Sequence, residues 1–291
     1  MIAVVLVGGE GTRLRPLTYT TPKPMLPIAN RPFLEHQVEH LRAHGIDRIV
    51  LACGYKPDAI RAHFGAELEY IVEPEPRGTG GAIAYAAREA GISETFVACN
   101  GDVLTDLDLT ALVAFHRGRK ARMTIALHPV DDPSRYGVVA TDADGAVTAF
   151  IEKPPPGTTT ERAINAGTYV ADPDVLDLVP DGRAVSVEYD VFPRLVGHGL
   201  FALADEGAWR DIGTPESFLA ANLGRMPPGG LVDPSAVVDP GAIVEESVVG
   251  PGCRIEAGAR VVSSVILAGA LVAEGMTVDN QVVGTSGEPV W

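Results

Sequence analysis

The sequence predicts an α/β fold in which a Rossmann-like, mostly parallel sheet is followed by a short parallel β-helix of hexapeptide repeats. Two observations support this prediction. Apolar, strand-like runs alternate with segments of helical spacing up to Gly224, which is typical of right-handed βαβ units. Beyond that residue, an aliphatic side chain recurs every five or six positions. We therefore expect a first domain over residues 1–224, a linker over 225–231 and a β-helix domain over 232–291.

The elements of the first domain can be justified in order. The apolar run 2–7 predicts a first strand. Residues 32–45 predict a helix, because apolar residues recur at helical spacing between an initial proline and a final glycine. By the same criteria, further strands are expected at 48–52, 68–72, 95–100, 123–129, 137–141, 146–151 and 164–170. Further helices are expected at 57–64, 80–90, 109–117 and 187–195, and a last one ends at Leu223.

The repeat beyond Gly224 keeps a strict register. Its aliphatic positions are separated by six, six and five residues, repeated, and lie at Val232, Val238, Val244, Val249, Ile255, Val261, Ile266, Val272 and Val278. Four places after each of them stands Ala, Val, Cys or Met. A random valine-rich tail would not keep this register, so we predict stacked coils of three hexads each. Three coils are few, and we expect their ends to pack on the first domain or on another subunit.

Composition restricts the function classes. With 291 residues, 46% of them hydrophobic and 21% charged, the chain should be globular, and a net charge of −15 disfavours nucleic-acid binding. The first apolar run is too short for a membrane span or a signal peptide, so we expect a soluble, cytoplasmic protein without a membrane partner. Cys53, Cys99 and Cys253 lack metal-ligand spacing, and we expect small buried residues instead of a disulfide framework or a zinc site.

A glycine-rich loop follows the first strand. Glycines let main-chain N–H groups approach an anion closely, and nearby cations can neutralise it. The loop combines Gly8, Gly9 and Gly11 with Arg13, Arg15 and Lys23, which predicts a triphosphate-binding loop. An ordinary glycine-rich turn would explain the glycines but not the cations.

Two familiar phosphate motifs are excluded. A dinucleotide fingerprint needs a glycine where Leu14 stands. A P-loop needs Gly-Lys-Ser/Thr at the start of a helix, and the sequence has no such tripeptide. The loop therefore belongs to another class of nucleotide site.

Two aspartates are candidate magnesium ligands. Asp102 comes directly after the strand 95–100, where a carboxylate is costly to bury unless it is paired or binds a metal. A helix N-cap is the alternative, but Asp106 and Asp108 stand closer to the next helix. Asp211, beside a turn, is a candidate to share the ion.

The motifs in their order resemble the sugar-1-phosphate nucleotidylyltransferases, and most closely the mannose-1-phosphate guanylyltransferases. The resemblance covers almost the whole chain and rests on GGEGTRLRPLT with PKPMLPI, EPEPRGTGGA, NGDVLTD, YGVV, FIEKP, INAGTYV, SVEYDVFP and WRDIGTPE. It implies a left-handed β-helix, a Mg²⁺ cofactor, a homo-oligomer (dimer or tetramer), and substrates that are a nucleoside triphosphate and a sugar-1-phosphate. The products would be a nucleotide-diphosphate sugar and pyrophosphate.

The resemblance also implies residue roles. Nucleotide contacts would come from Leu6, Gly8, Gly9, Gly11, Thr12, Glu73, Gly78, Thr79 and Gly101. Sugar-phosphate contacts would come from Tyr136, Gly137, Glu152, Lys153, Asn165 and Gly167. Arg13, Lys23 and Lys153 would be catalytic, and Asp102 and Asp211 would hold the metal.

This reaction makes physical sense with these residues. Two anions must meet, and like charges about 4 Å apart repel by roughly 4 kcal/mol at an effective dielectric near 20. Fixed cations such as Arg13 and Lys153 offset that repulsion. No general base is expected, because a phosphate monoester is already anionic near neutral pH.

The identity of the substrates is less constrained. The Glu73 carboxylate could accept both N1–H and the 2-amino group of guanine, which favours GTP, although a surface ion pair is an equally simple interpretation. Tyr189 stands where the guanylyltransferases usually have lysine, which leaves the sugar open. Alternatives are a glucose-1-phosphate thymidylyl- or uridylyltransferase and a catalytically silent regulatory paralogue. An acyltransferase is disfavoured because no histidine follows His198.

Overall fold

The computed structural model describes residues 1–54 and 57–291. The chain divides into two compact units. The sheet unit comprises residues 1–9 and 37–209, and the β-helix unit comprises residues 10–36 and 210–291.

Seven α-helices lie in the described residues. Helices α1 to α7 span Leu17–Thr20, Phe33–Ala43, Pro57–Phe64, Gly78–Glu89, Leu109–Arg119, Phe192–Leu195 and Pro215–Arg225. Short 3-10 turns at Thr12–Leu14 and Lys23–Met25 and a π-helical turn at Val187–Val191 add to them.

The strands follow in chain order. Strands β1 to β13 span Ile2–Leu6, Pro27–Ile28, Arg31–Pro32, Arg48–Cys53, Glu69–Val72, Phe96–Asn100, Val103–Thr105, Met123–Pro129, Gly137–Thr141, Val147–Glu152, Ala163–Ala171, Leu200–Ala204 and Trp209–Asp211. Strands β14 to β23 span Leu231–Val232, Val237–Val238, Ile243–Glu245, Val248–Val249, Arg254–Ile255, Arg260–Val262, Val265–Ile266, Leu271–Val272, Thr277–Asp279 and Val282–Val283.

The sheet unit is built on a mixed sheet of nine strands. Its order is β10-β9-β11-β6-β1-β4-β5, with β8 beside β11 and β12 beside β8. Strands β5, β4, β1 and β6 are parallel, whereas β11 is antiparallel to β6, β8 and β9. Residues 2–5 of β1 are buried, as expected for an inner parallel strand that is covered on both faces. The α/β class is confirmed.

The predicted elements of the sheet unit are present, with boundaries that differ by at most two residues. The predicted helix 187–195 consists of a π-helical turn followed by α6, and Ser186 caps it by accepting from the N–H groups of Glu188 and Tyr189. The sequence did not predict strand β12, which pairs in parallel with β8. All three cysteines are buried free thiols, which confirms the prediction of small buried residues.

The β-helix follows the predicted repeat. Val232 pairs with Val249, and Val249 pairs with Ile266, so the chain advances 17 residues per coil. The strands form three parallel sheets, one for each side of the coil. The aliphatic positions of the repeat from Val249 to Val278 are at most 1% exposed, and they form one apolar core. This arrangement is that of a left-handed β-helix, and the predicted class is confirmed.

No helix in the described part of the chain has the length and apolar character needed to cross a lipid bilayer.

Candidate active site

The carboxyl ends of β1 and β6 meet at one edge of the parallel half of the sheet. The N–H of Gly101 donates to the carbonyl of Leu6 at 2.8 Å. A Cβ at position 101 would lie 2.3 Å from that carbonyl oxygen, so only glycine permits this approach. Gly8 and Gly9 follow one strand, and Asp102 follows the other. The structure thus brings these predicted residues to the same edge.

The turn that carries Asp102 is fixed by the buried side-chain amide of Gln37. The Nε2 group of Gln37, in α2, donates to the carbonyls of Asn100 at 2.9 Å and Val103 at 2.8 Å. Gln37 is 8% exposed, and these two bonds fix the main chain on both sides of Asp102. The sequence analysis missed this residue. A glutamine inside the apolar face of a helix is the signal that could have revealed it.

Glu73 lies beside the start of the glycine loop. Its Oε1 atom is 3.6 Å from the position that a Cβ at Gly8 would occupy, and its Oε2 accepts from the main-chain N–H of Arg77 at 3.0 Å. Burial raises the pKa of the Glu73 carboxyl, while that hydrogen bond and the Arg77 charge act in the opposite direction. The Arg77 guanidinium stacks over the Tyr85 ring at 4.4 Å. A half-buried carboxylate thus borders the loop predicted to bind nucleotide.

The first turn of α4 is bound to the segment around Glu188. Gly78 has φ of +72°, and a Cβ there would lie 2.6 Å from the carbonyl of Val185. The Thr79 hydroxyl donates to Glu188 Oε2 at 2.9 Å and accepts from the N–H of Val187 at 2.9 Å. Both are protein contacts, so the predicted contact of Thr79 with nucleotide stays a prediction. Glu188 is a further residue that the sequence analysis did not name.

The predicted sugar-phosphate residues of strands β9 and β10 lie together. A Cβ at Gly137 would lie 2.6 Å from Glu152 Oε2, so the carboxylate covers the Gly137 main chain directly. Lys153 Nζ is 3.3 Å from Glu152 Oε1, and the Lys153 side chain is 64% exposed. The Lys153 N–H donates to the carbonyl of Tyr136 at 3.0 Å. The Tyr136 ring meets Trp209 edge to face at 5.4 Å.

Strand β11 contains an irregularity that aims Asn165. Its pairing with β8 shifts register between Asn165 and Tyr169. Gly167 lies inside the shift with φ of +74°, and a Cβ there would lie 2.7 Å from the Asn100 side chain. Asn165 accepts from the Gly167 N–H and donates to the Tyr169 hydroxyl, both at 2.9 Å. The shift therefore holds the Asn165 amide in one orientation.

Tyr169 is a buried tyrosine whose hydroxyl accepts a hydrogen bond from Asn165. Burial raises the pKa of its phenol well above the usual value, and the charges of Glu188, Glu152 and Asp102 raise it further. The hydrogen bond from Asn165 acts in the opposite direction. Three carboxylates from separate elements therefore act electrostatically on one buried hydroxyl. The sequence analysis missed Tyr169, although it lies inside the motif INAGTYV.

In the β-helix unit, the rest of the glycine loop is tightly packed. Gly11 has φ of +62°, and a Cβ there would lie 2.9 Å from Thr18 Cγ2 and 3.3 Å from Lys23 Cβ. The carbonyl of Gly11 accepts from the Leu14 N–H and from the Thr18 hydroxyl, both at 2.9 Å. Lys23 is 9% exposed. The predicted lysine is therefore buried and packs against the loop. The loop continues at Thr12 into a 3-10 turn.

Arg13 and Asp211 border the same glycine in this unit. A Cβ at Gly213 would lie 2.8 Å from Arg13 Nη2 and 3.0 Å from Asp211 Oδ2. A side chain at position 213 would displace one or both of them. Helix α7 begins two residues later, with a capping box between Thr214 and Ser217.

Comparison with known proteins assigns the family. The model of the Nucleotidyl transferase family matches residues 2–225, and the model described as GMPPB C-terminal domain matches residues 227–288. The chain belongs to the nucleotidyl transferase family.

Relatives of this nucleotidyl transferase include enzymes named for one activity. It is 46% identical over 226 residues to the mannose-1-phosphate guanylyltransferase of Mycobacterium tuberculosis, a match that covers 75% of this chain and 62% of that protein. It is 36% identical over 273 residues to the probable mannose-1-phosphate guanylyltransferase 2 of Arabidopsis thaliana, which covers 87% and 74%. The chain thus spans less than two-thirds of the length of the Mycobacterium protein.

A solved structure has the same fold. It is HddC from Yersinia pseudotuberculosis complexed with GMP-PN, with a TM-score of 0.65 and 32% identity. The match covers 76% of this nucleotidyl transferase chain and 97% of HddC.

The donor set of this nucleotidyl transferase suits magnesium. Among residues 1–54 and 57–291, no group of three or more His, Cys, Asp or Glu side chains forms a metal site. Mg²⁺ is commonly held by only one or two carboxylates together with substrate phosphates. Asp102 and Asp211 are each half-buried carboxylates, and carboxylate oxygens are hard ligands.

Proposed function

We propose that the protein is a sugar-1-phosphate nucleotidylyltransferase that condenses mannose-1-phosphate with GTP to give GDP-mannose and pyrophosphate. The proposal rests mainly on one edge of the sheet, at which the parallel strands β1, β4, β5 and β6 end. This edge gathers Gly8, Glu73 and Asp102 in a chain whose relatives are named mannose-1-phosphate guanylyltransferases.

The proposed reaction is a direct displacement at phosphorus. An oxygen of the sugar phosphate attacks the α-phosphorus of the triphosphate, and the bond to the β-phosphate breaks as pyrophosphate leaves. The Arg13 guanidinium, at the loop turn Thr12–Leu14, would neutralise charge on the leaving group. The buried Lys23 cation would add to the positive potential of the loop.

The sugar phosphate would be aligned by residues of β9 to β11. Lys153 is exposed enough to contact a phosphate, and Glu152 holds its Nζ atom at 3.3 Å until the substrate arrives. The Glu152 carboxylate and the oriented Asn165 amide would bind sugar hydroxyls. Gly137 has no side chain, which lets the Glu152 carboxylate lie directly against its main chain. Alignment of this kind supplies much of the rate of a two-substrate reaction.

Asp102 and Asp211 would hold Mg²⁺. When bound, the ion would polarise the α-phosphate and offset its negative charge. On the protein side, the Gln37 amide keeps the Asp102 turn in place through two main-chain carbonyls. The Gly213 main chain leaves room for Asp211 beside Arg13.

Glu73 supports guanine as the base. Guanine presents two adjacent donors, and one carboxylate accepts both, whereas uracil and thymine present a donor beside an acceptor. The carboxylate is half-buried beside Gly8, where a hydrogen bond to an ionised group gains strength from partial removal of water.

The proposed substrates are tested by combining each of four nucleotides with each of two sugar phosphates. Purified protein with Mg²⁺ is incubated with GTP, ATP, UTP or dTTP and with mannose-1-phosphate or glucose-1-phosphate, and pyrophosphate release is measured. We expect the highest kcat/KM for GTP with mannose-1-phosphate. Preference for UTP or dTTP with glucose-1-phosphate would replace the proposed substrates. Nucleotide-sugar binding with no turnover in any pair would show a silent regulatory paralogue.

We also propose that the enzyme acts in the cytoplasm as a homo-oligomer, either a dimer or a tetramer. Light scattering coupled to size-exclusion chromatography measures its mass in solution. A mass equal to one 30.5 kDa chain at all concentrations would contradict this assembly.

A further inference from the structure

The segment 284–291 folds back on the last strand of the β-helix. Val283 and Pro289 form an antiparallel bridge, and the Val290 N–H donates to the carbonyl of Val282 at 2.7 Å. The Gly284 N–H donates to the carbonyl of Glu288 at 3.3 Å. This segment is therefore a hairpin fixed to β23, and we call it the tail hairpin.

The tail hairpin places Trp291 against the loop that carries Arg13. The indole Nε1–H of Trp291 donates to the carbonyl of Arg15 at 3.0 Å. The ring also meets Phe218 of α7 edge to face, with centroids 5.9 Å apart. Phe218 is fully buried, so the indole rests on a fixed part of the helix. One side chain thus joins the loop Gly11–Arg15, helix α7 and the tail hairpin, all within the β-helix unit.

The loop Gly11–Arg15 is held from within by short-range main-chain hydrogen bonds. Its turn Thr12–Leu14 is three residues long, and the Leu14 and Arg15 N–H groups donate to the carbonyls of Gly11 and Thr12. Short 3-10 turns have poor hydrogen-bond geometry and are marginal without outside support. Leu14 is buried, whereas the Arg15 side chain is exposed and contacts Glu10 and the Tyr19 ring in the same segment. A donor bound to the Arg15 carbonyl supplies that support directly.

We infer that Trp291 is a positioning residue that holds the loop Gly11–Arg15, and with it Arg13, in the geometry required for nucleotide binding. The same indole packs on Phe218 of α7, the helix that follows Asp211 and Gly213. The expected effect of Trp291 on catalysis rests on the proposed function, in which Arg13 contacts the leaving phosphates. The expected effect of Trp291 on the structure of the loop is independent of that function.

Two variants and one control test this inference. Trp291→Phe keeps an aromatic ring on Phe218 but lacks the N–H donor, and Trp291→Ala lacks both contacts. Glu288→Gln is the matched control, because Glu288 lies in the same hairpin with an exposed side chain. Hydrogen–deuterium exchange of the ligand-free protein follows peptides over residues 11–18. Steady-state kinetics give KM for each substrate and kcat, and thermal unfolding gives Tm.

With Trp291→Phe, we expect faster exchange in residues 11–18 and a KM for GTP about fivefold higher, which is the size of one hydrogen bond. The KM for the sugar-1-phosphate should stay unchanged, and Trp291→Ala should show larger effects. Glu288→Gln should match the wild type in all measurements.

Wild-type exchange and wild-type KM for GTP in both Trp291 variants would overturn the inference, as would a lower Tm as the sole effect. An equal effect of Glu288→Gln would also overturn it. If the wild type shows no nucleotide turnover, the proposed function fails, and the exchange result still decides the role of Trp291 in the loop.

Discussion

At the strand ends, single charged residues are partly buried at a cost in stability that the fold alone does not explain. The Glu73 carboxyl is half-buried at the end of β5, and burial raises its pKa. A group whose charged form is disfavoured by its surroundings is a candidate for function, because a neutral residue would fit the same position at less cost. Glu73 and Asp102 are the two residues at this edge for which stability and activity should respond in different ways to substitution.

Glu73→Gln should reverse the base preference. The amide offers one donor and one acceptor, so it pairs poorly with guanine and well with uracil or thymine. We expect kcat/KM for GTP to fall about 10- to 100-fold relative to kcat/KM for UTP, since hydrogen bonds to charged groups contribute about 1.5–3 kcal/mol. Competing-nucleotide assays measure the ratio. Glu75→Gln, an exposed change two residues away, is the control, and an equal loss there would contradict the role of Glu73.

The same substitution should leave stability equal or higher at neutral pH. Because the Glu73 pKa is raised in the folded protein, the folded chain keeps a proton that the unfolded chain has lost between the ordinary and the raised value. Stability therefore falls as pH rises through that window and stays lower above it. Glu73→Gln removes this cost, so its Tm relative to wild type should be higher at neutral than at acidic pH. A Tm lower than wild type only at neutral pH would contradict this sign.

Asp102→Asn should abolish magnesium-dependent turnover without unfolding the protein. Asparagine keeps the shape of the side chain but lacks the charge that Mg²⁺ requires, so we expect kcat/KM to fall by at least about 100-fold. Pyrophosphate release over a range of Mg²⁺ concentrations measures it. Asp108→Asn is the matched control, because Asp108 caps α5 by accepting from the Ala111 N–H and asparagine caps equally well. Wild-type activity in Asp102→Asn would refute the metal assignment.

At the scale of elements, the β-helix depends on inward aliphatic residues that stack from coil to coil. Val261 lies between Val244 and Val278 in three parallel strands and is fully buried. Each coil cannot bury its own core and relies on its neighbours. Loss of side-chain volume in the middle coil should therefore destabilise the neighbouring coils as well.

Val261→Ala should lower the free energy of unfolding by about 2 kcal/mol, because it leaves a cavity in a closely packed core. Val237→Ala makes the same chemical change at an outward position that is 64% exposed, and it should stay within about 0.5 kcal/mol of wild type. Denaturant unfolding followed by circular dichroism compares them. Equal losses in the two variants would contradict the inward and outward assignment of the repeat.

Much of the element order could be predicted from the sequence, because periodicity reports which face of a segment is buried. The hexad positions and the strands before Gly101 are examples. The residues that orient the site could not be found in this way. Gln37 and Tyr169 are polar groups inside otherwise apolar elements, and their partners lie far away in the sequence. Only the folded chain shows that Gln37 supports the Asp102 turn and that Asn165 binds the Tyr169 hydroxyl.

At the scale of the whole molecule, the chain has a net charge of −15, yet its proposed substrates are both anions. Long-range attraction therefore cannot account for binding, and cations must act locally. The loop with Arg13 and Lys23 and the strand end with Lys153 provide these charges in the two units. We expect binding of GTP to weaken only modestly when salt is raised, since the cations that matter lie near phosphates. Calorimetric titration at low and high salt checks this, and a steep loss would contradict it.

The proposed reaction is tested most directly by identifying its products. GTP, mannose-1-phosphate and Mg²⁺ are mixed with the wild-type enzyme and followed by ³¹P nuclear magnetic resonance. We expect the GTP signals to disappear while a nucleotide-diphosphate sugar and pyrophosphate appear in equal amounts. Hydrolysis of GTP to GDP and phosphate, or unchanged GTP in the presence of a bound sugar phosphate, would contradict the proposed reaction.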